Sequence, residues 1–172
     1  MDITLALDYL RPAAIYTGSL TANTIEAYES ILWQDERPKP TWAELEVASV
    51  LIERVATWEH IKAHRDRLKS GGVLVDGYWF YSDDPSRIQQ IGLVMMGANL
   101  PAGIMWKTMS GVFVEMVPAL ATKIFNTLAQ TDIHNFAVAE QHRAALEQAA
   151  DPLAYDYSAG WLPGYADSEE IS

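Results

Sequence analysis

Apolar residues stand at every second position near the start of the chain: Ile3, Leu5, Leu7 and Tyr9 alternate with smaller or polar neighbours. That period predicts a β-strand over 2–9, ended by Arg11-Pro12. A lone strand has no partner beside it in sequence. It must pair with a distant element of its own domain or with another chain, and both readings stay open. From 17 to 40 the pattern is loop-like, with one short helical stretch near Ile25–Leu32. Pro38 and Pro40 disfavour helix and set an extended approach. Thr41 follows, with Glu44 three residues on. This is a capping box, because hydroxyl and carboxylate each satisfy an orphan N–H.

The helix that opens at Trp42 is predicted to run to about Lys69. Leu45, Ala48, Ile52 and Val55 form one stripe, widened by Val47, Val50, Leu51, Trp58 and Ile61. A helix apolar over so much of its circumference is expected to be largely enclosed. Packing on the chain's own helices and a coiled coil with sister chains are both open, although the heptad is imperfect. Gly71-Gly72 stops the helix. Val73 to Tyr81 then reads as a β-hairpin turning at Asp76-Gly77, a pair that tolerates positive φ. Ser82-Asp83-Asp84-Pro85 predicts a capped helix to about Gly97, burying Ile88, Ile91, Leu93 and Met95.

Ile104 to Met116 predicts a second hairpin turning at Ser110-Gly111, and the two hairpins could join into a four-stranded sheet. Pro118 opens a helix to about Ala129. Thr131-Asp132 caps another to about Ala150, with Ile133, Phe136, Ala137 and Ala144 as its apolar face, unless the two are one kinked helix. The order predicts an α+β fold: helices, one of them long, packed with two small antiparallel hairpins, plus an extended N-terminal arm. The expected divisions are a strand and proline-containing docking arm (1–40), an α+β domain (41–161) and an acidic tail (162–172).

Charge and composition narrow the function. Twelve Lys and Arg against 23 Asp and Glu leave a net charge of −11. That balance counts against a nucleic-acid partner, whose phosphates are held by Lys and Arg. The apolar fraction of 49% is enough for a core. Cysteine is absent, which excludes a disulfide framework, a thiol nucleophile and Cys-ligated zinc. No apolar run reaches the ~20 residues of a spanning helix, so no membrane insertion is expected. Met1-Asp2-Ile3-Thr4 lacks a basic region before an apolar run, so no signal peptide is expected either.

Candidate chemistry is sparse. His60 and His64 have a spacing that can chelate zinc, but the Glu of His-Glu-x-x-His is missing and Lys62 and Arg65 disfavour a cation. His134 and His142, eight apart, read as surface or hydrogen-bonding groups. Asp83-Asp84 is better explained as a cap than as an acid pair. Trp79, Tyr81 and Trp106 could form a sugar-binding face, against the commoner role of cross-strand packing. No Gly-rich phosphate cradle and no Gly-x-Ser-x-Gly elbow occur. The residues therefore predict no enzyme, no metal and no cofactor. They point to contacts with other proteins, with Ile3, Leu5, Leu7, Trp33, Trp42, Trp79, Tyr81 and Trp106 as interaction candidates.

The run from Ile61 through Gly71-Gly72 and Asp76-Gly77-Tyr78-Trp79 to Leu93 resembles an uncharacterised domain family of tailed phages and prophages, whose members are tail-fibre-associated proteins. Trp106–Met116, Ala139–Leu146 and Asp156–Trp161 resemble its second hairpin, closing helix and end, covering about 61–161 in the family's order. Trp33 followed by Arg37–Leu45 resembles a segment common just before this domain and in phage tail fibre assembly proteins. The stretch Gly97–Met105 is shorter than in many relatives. The resemblance supplies no catalytic residues. It implies a virion tail protein, assembled in the host cytoplasm, that is a structural component beside the fibre or baseplate. A fibre-assembly chaperone is the alternative, and a host-surface carbohydrate-binding module ranks below both. The implied partners are tail fibre or baseplate proteins, with a homotrimer possible along Trp42–Lys69.

Overall fold

A computed structural model describes residues 1–169, with the backbone alone at Glu169. The fold is α+β. Among the described residues thirteen elements form, and the chain divides into two compact units, 1–59 with 145–155, and 60–144 with the chain from 156 on. The division falls inside the long helix rather than at its start. No helix among the described residues is long and apolar enough to cross a membrane.

The first unit begins with helix α1 (Ile3–Leu10), where alternation predicted a strand. Asp2 caps it, its carboxylate accepting from the N–H groups of Thr4 at 3.0 Å and Leu5 at 3.1 Å. Ile3, Ala6 and Leu7 are buried with Tyr28, Ile31, Leu45 and Ala48, while Leu5 and Tyr9 are exposed. The same residues satisfy a helical period through Ala6, and the cap settles the competition. Strand β1 (Tyr16–Thr17) pairs antiparallel with β2 (Leu32–Trp33) around α2 (Ile25–Ser30). This third small sheet lies where loop was expected, and it stacks the Tyr16 and Trp33 rings 6.5 Å apart. The N-terminal 40 residues are therefore folded rather than extended.

Tyr28 fixes the proline approach. Its hydroxyl donates to the Pro40 carbonyl at 2.6 Å, and Lys39 donates to the Tyr28 carbonyl at 2.9 Å. Burial, with the nearby Glu44 carboxylate, pushes the phenol up to about 12. Helix α3 (Trp42–Lys69) then starts on the expected capping box. Thr41 N–H donates to Glu44 at 2.7 Å and Glu44 N–H to the Thr41 hydroxyl at 3.2 Å. Enclosure is only partial, since Val47, Leu51 and Val55 are exposed. Thr57 donates to the Pro152 carbonyl at 2.9 Å, holding 145–155 in this unit.

In the second unit, β3 (Val73–Val75) and β4 (Tyr78–Phe80) pair as predicted. Asp76 and Gly77, at φ of 52° and 81°, make the two-residue turn. Strands β5 (Met105–Lys107) and β6 (Phe113–Glu115) form the second hairpin. The hairpins do not merge into four strands, although Met109 N–H donates to the Trp79 carbonyl at 2.8 Å. Val73, Val75 and Phe80 build the core with Leu100, Met116, Ala121, Ile124 and Leu128.

Helix α4 (Asp84–Met96) is capped by Asp83, which accepts from Ser86 N–H at 3.0 Å. Its expected buried face is turned outward: Ile88, Ile91 and Met95 are exposed, Leu93 is half-buried and Gln90 is inside. Gln90 holds that position by donating to the Tyr81 carbonyl at 2.8 Å. Helix α5 (Pro118–Leu146) runs unbroken past Thr131, with no second cap. Its buried stripe is Ala121, Ile124, Leu128, Asn135, Val138 and Ala139, not Ile133, Phe136, Ala137 and Ala144, which are exposed.

The loop before the expected acidic tail (162–172), and the tail as far as it is described, are packed. His134 and His142 hydrogen-bond the Gly160 and Ala159 carbonyls at 2.8 and 2.9 Å. Trp161 lies 5.0 Å from the His64 ring and 5.5 Å from the His142 ring. Gly164 presses on Gly71, and Asp167, in helix α6 (Tyr165–Glu169), pairs with Arg67 at 3.0 Å. Glu170, Ile171 and Ser172 lie outside the described residues.

Candidate functional site

Among the described residues of the second unit, the three most open apolar side chains, Met95, Ile133 and Ile88, lie on α4 and α5. On α4, Ile88, Ile91 and Met95 recur at i, i+3 and i+7, so they share one face. On α5, Phe125, Ile133 and Phe136 stand at i, i+8 and i+11, within one side of the helix, with Ile133 71% and Phe136 55% exposed. Isolated exposed apolar residues are ordinary. Contiguous ones with polar flanks mark docking surfaces.

Arg87 ties the two helices together. Its guanidinium makes a bidentate pair with Asp132 of α5, at 2.7 and 3.0 Å. The same side chain donates to the Ser82 carbonyl at 2.5 Å and to the Lys69 carbonyl at 2.7 Å. Charge-assisted, forked hydrogen bonds are strong and directional. The Lys69 contact also sets a cation on the negative end of α3. Arg67 and Lys69 already stand in the last turn of α3, and Arg87 from α4 joins them.

Two depressions flank the pair and share Asp132. Ile91, Phe125, Leu128 and Ala129 line one with Arg87. The other, about 480 Å³, is lined by Arg65, Asp66, Lys69, Ile133, Asn135 and Phe136. Arg65 lies 5.9 Å from the Phe136 ring centre and pairs with Asp66 at 2.8 Å. Asn135 accepts from Leu162 N–H at 2.9 Å, while its buried Nδ2 has no partner among the described residues. The arrangement can seat apolar side chains around a fixed ion pair, with the Lys69 ammonium at the rim.

The residues singled out from sequence do not assemble into one site. Ile3 and Leu7 are core residues of the first unit, and Leu5 is exposed. Trp33 packs on that core and donates to the Arg37 carbonyl at 2.7 Å. Trp42 packs there too and donates to Glu46 at 2.8 Å. In the second unit Trp106 lies against the core, Trp79 sits 5.9 Å from the Tyr165 ring, and Tyr81 is partly exposed. His60 is exposed and His64 turns to Trp161. Among the described residues, no group of three or more His, Asp or Glu is placed to hold a metal ion. Ile88, Ile91, Met95, Ile133 and Phe136 were visible in the sequence as apolar stripes but were assigned to the core. Arg87, Asp132 and Asn135 went unnoticed as a set. The signal for them is that α5 carries two apolar stripes, only one of which a small domain can bury.

No curated protein and no solved structure matches the chain. One family does match, over residues 52–159, which takes in the second half of α3, both hairpins, α4 and all of α5. The α4–α5 face lies wholly within that span. The chain thus belongs to the family described as a domain of unknown function, DUF4376.

Proposed function

We propose that this chain is a structural component of a tailed-phage tail, associated with the fibre or baseplate and acting through protein–protein contacts. The observation that carries the reading is the α4–α5 face, where Ile91, Phe125, Ile133 and Phe136 line the two depressions beside the Arg87–Asp132 pair and Ile88 and Met95 are exposed on α4. An apolar centre with a polar rim is the anatomy of a protein interface. The resemblance of 61–161 to tail-fibre-associated proteins supports the choice of partner. The resemblance of Trp33 and Arg37–Leu45 to fibre assembly proteins supports a second reading, a chaperone that leaves the finished particle.

A photo-cross-linking residue at Phe136 tests the contact during phage production. Cross-links to a fibre or baseplate protein are expected, and Ile133→Asp should abolish them while the circular dichroism spectrum stays unchanged. Capture of no tail protein in an otherwise folded chain overturns the reading.

A further inference from the structure

The two depressions beside the Arg87–Asp132 pair follow a single line of α5. Phe125, Ala129, Asp132 and Phe136 succeed one another at spacings of four, three and four, the period at which one helix seats another. The two Phe rings stand at the ends of the line, exposed Ala129 lies low between them, and Asp132 is pinned by Arg87. A depression of about 220 Å³ opens beside Phe125 and Ala129, walled by Ile91 of α4. The larger one opens beside Phe136, walled by Arg65 and Lys69 of α3. Every residue lining the two belongs to α3, α4 or α5, and none to a strand. Helix sides offer no row of backbone partners, because their N–H and C=O groups bond within the helix. An extended partner segment would bring unpaired backbone groups onto apolar side chains there. A helix avoids that cost by bonding its own backbone.

We propose that the partner presents an amphipathic α-helix to this seam, lying along α5 with one apolar side chain in each depression and a carboxylate over Arg65 and Lys69. Charge complementarity supplies the carboxylate. The Lys69 side chain is 47% exposed, and its partner Asp84 stands 3.9 Å away. Arg65 lies over the Phe136 ring and pairs with its own chain neighbour, Asp66. Exposed pairs of this kind are weak, so an incoming acid can compete for both cations. Such a helix-in-groove contact takes its affinity from apolar anchors and its register from the polar groups between them, here the fixed Arg87–Asp132 bridge. This seating rests on the docking reading of the same face and adds the form of the partner.

Photo-cross-linking residues placed singly at Phe125 and at Phe136 of the full chain, during phage production, test it by the sites they mark on the partner. The two positions are about 16 Å apart along α5. A helix lying alongside covers that distance in about eleven residues, an extended segment in about five. Marks about eleven residues apart in one partner segment are expected, with an Asp or Glu within a turn of the Phe136 mark. Ala129→Trp fills the seam at an exposed position. It should lower both cross-link yields about ten-fold or more with an unchanged circular dichroism spectrum. Where that variant fails to fold, the spacing of the marks decides alone. Marks about five residues apart, marks in separate parts of the partner, or yields that a folded Ala129→Trp leaves unchanged overturn the helical seating and leave the docking reading standing. Cross-links to no tail protein from either position overturn both.

Discussion

Gly72 sits at φ +95°, where a side chain is strained, and a Cβ there would run into the Met109 sulfur. Gly72→Ala should therefore destabilise the second unit by about 1–2 kcal/mol or more, read as a lower thermal midpoint. His64 gives a pH-dependent counterpart. Burial, then the Arg67 charge, hold its imidazole below the ordinary 6.5, against an opposing pull from Asp167. The unfolded chain then binds the proton more readily than the fold does. The His64 contribution is fully present above about pH 6.5 and is lost as pH falls from there through the folded-state pKa. Urea melts between pH 7.5 and 5 should show stability falling with pH, and His64→Gln should flatten that slope. The sequence marked His134 and His142 as surface or hydrogen-bonding groups. The carbonyls they hold, Gly160 and Ala159, come from a later loop, which no local pattern reveals.

At the scale of elements, local chemistry was the reliable guide. The Thr41–Glu44 box, the Asp76-Gly77 turn, the Asp83 cap and the Gly71-Gly72 stop all sit where their side chains demand. Periodicity alone misled in two places. Over Ile3–Tyr9 a two-residue and a helical period coexist, and the Asp2 carboxylate decides between them. Asp2→Ala should cost about 1 kcal/mol and loosen α1, seen as faster amide exchange over Thr4–Leu7 with the second unit unchanged. Over α4 and α5 the stripes were real, but helical spacing does not say which stripe faces the core. That assignment depends on where the hairpins pack and on Gln90 and Asn135 taking inside positions through backbone partners. Polar residues that bond within the core read from sequence as surface.

At the scale of the molecule, the fold class was legible and the open apolar face was not. Length and element order pointed to α+β. The Trp and Tyr residues first marked for interaction turned out mostly to pack against their own units, and the open apolar surface lies on helices assigned to the interior. The −11 charge is consistent with a chain that meets other proteins rather than nucleic acid. The central claim is that this chain resides in the tail as a structural part. Quantitative mass spectrometry of purified phage particles tests it most directly. The account predicts peptides of this chain in a fixed ratio to the fibre or baseplate protein. Particles that carry the full set of tail proteins but no peptide of this chain would contradict it.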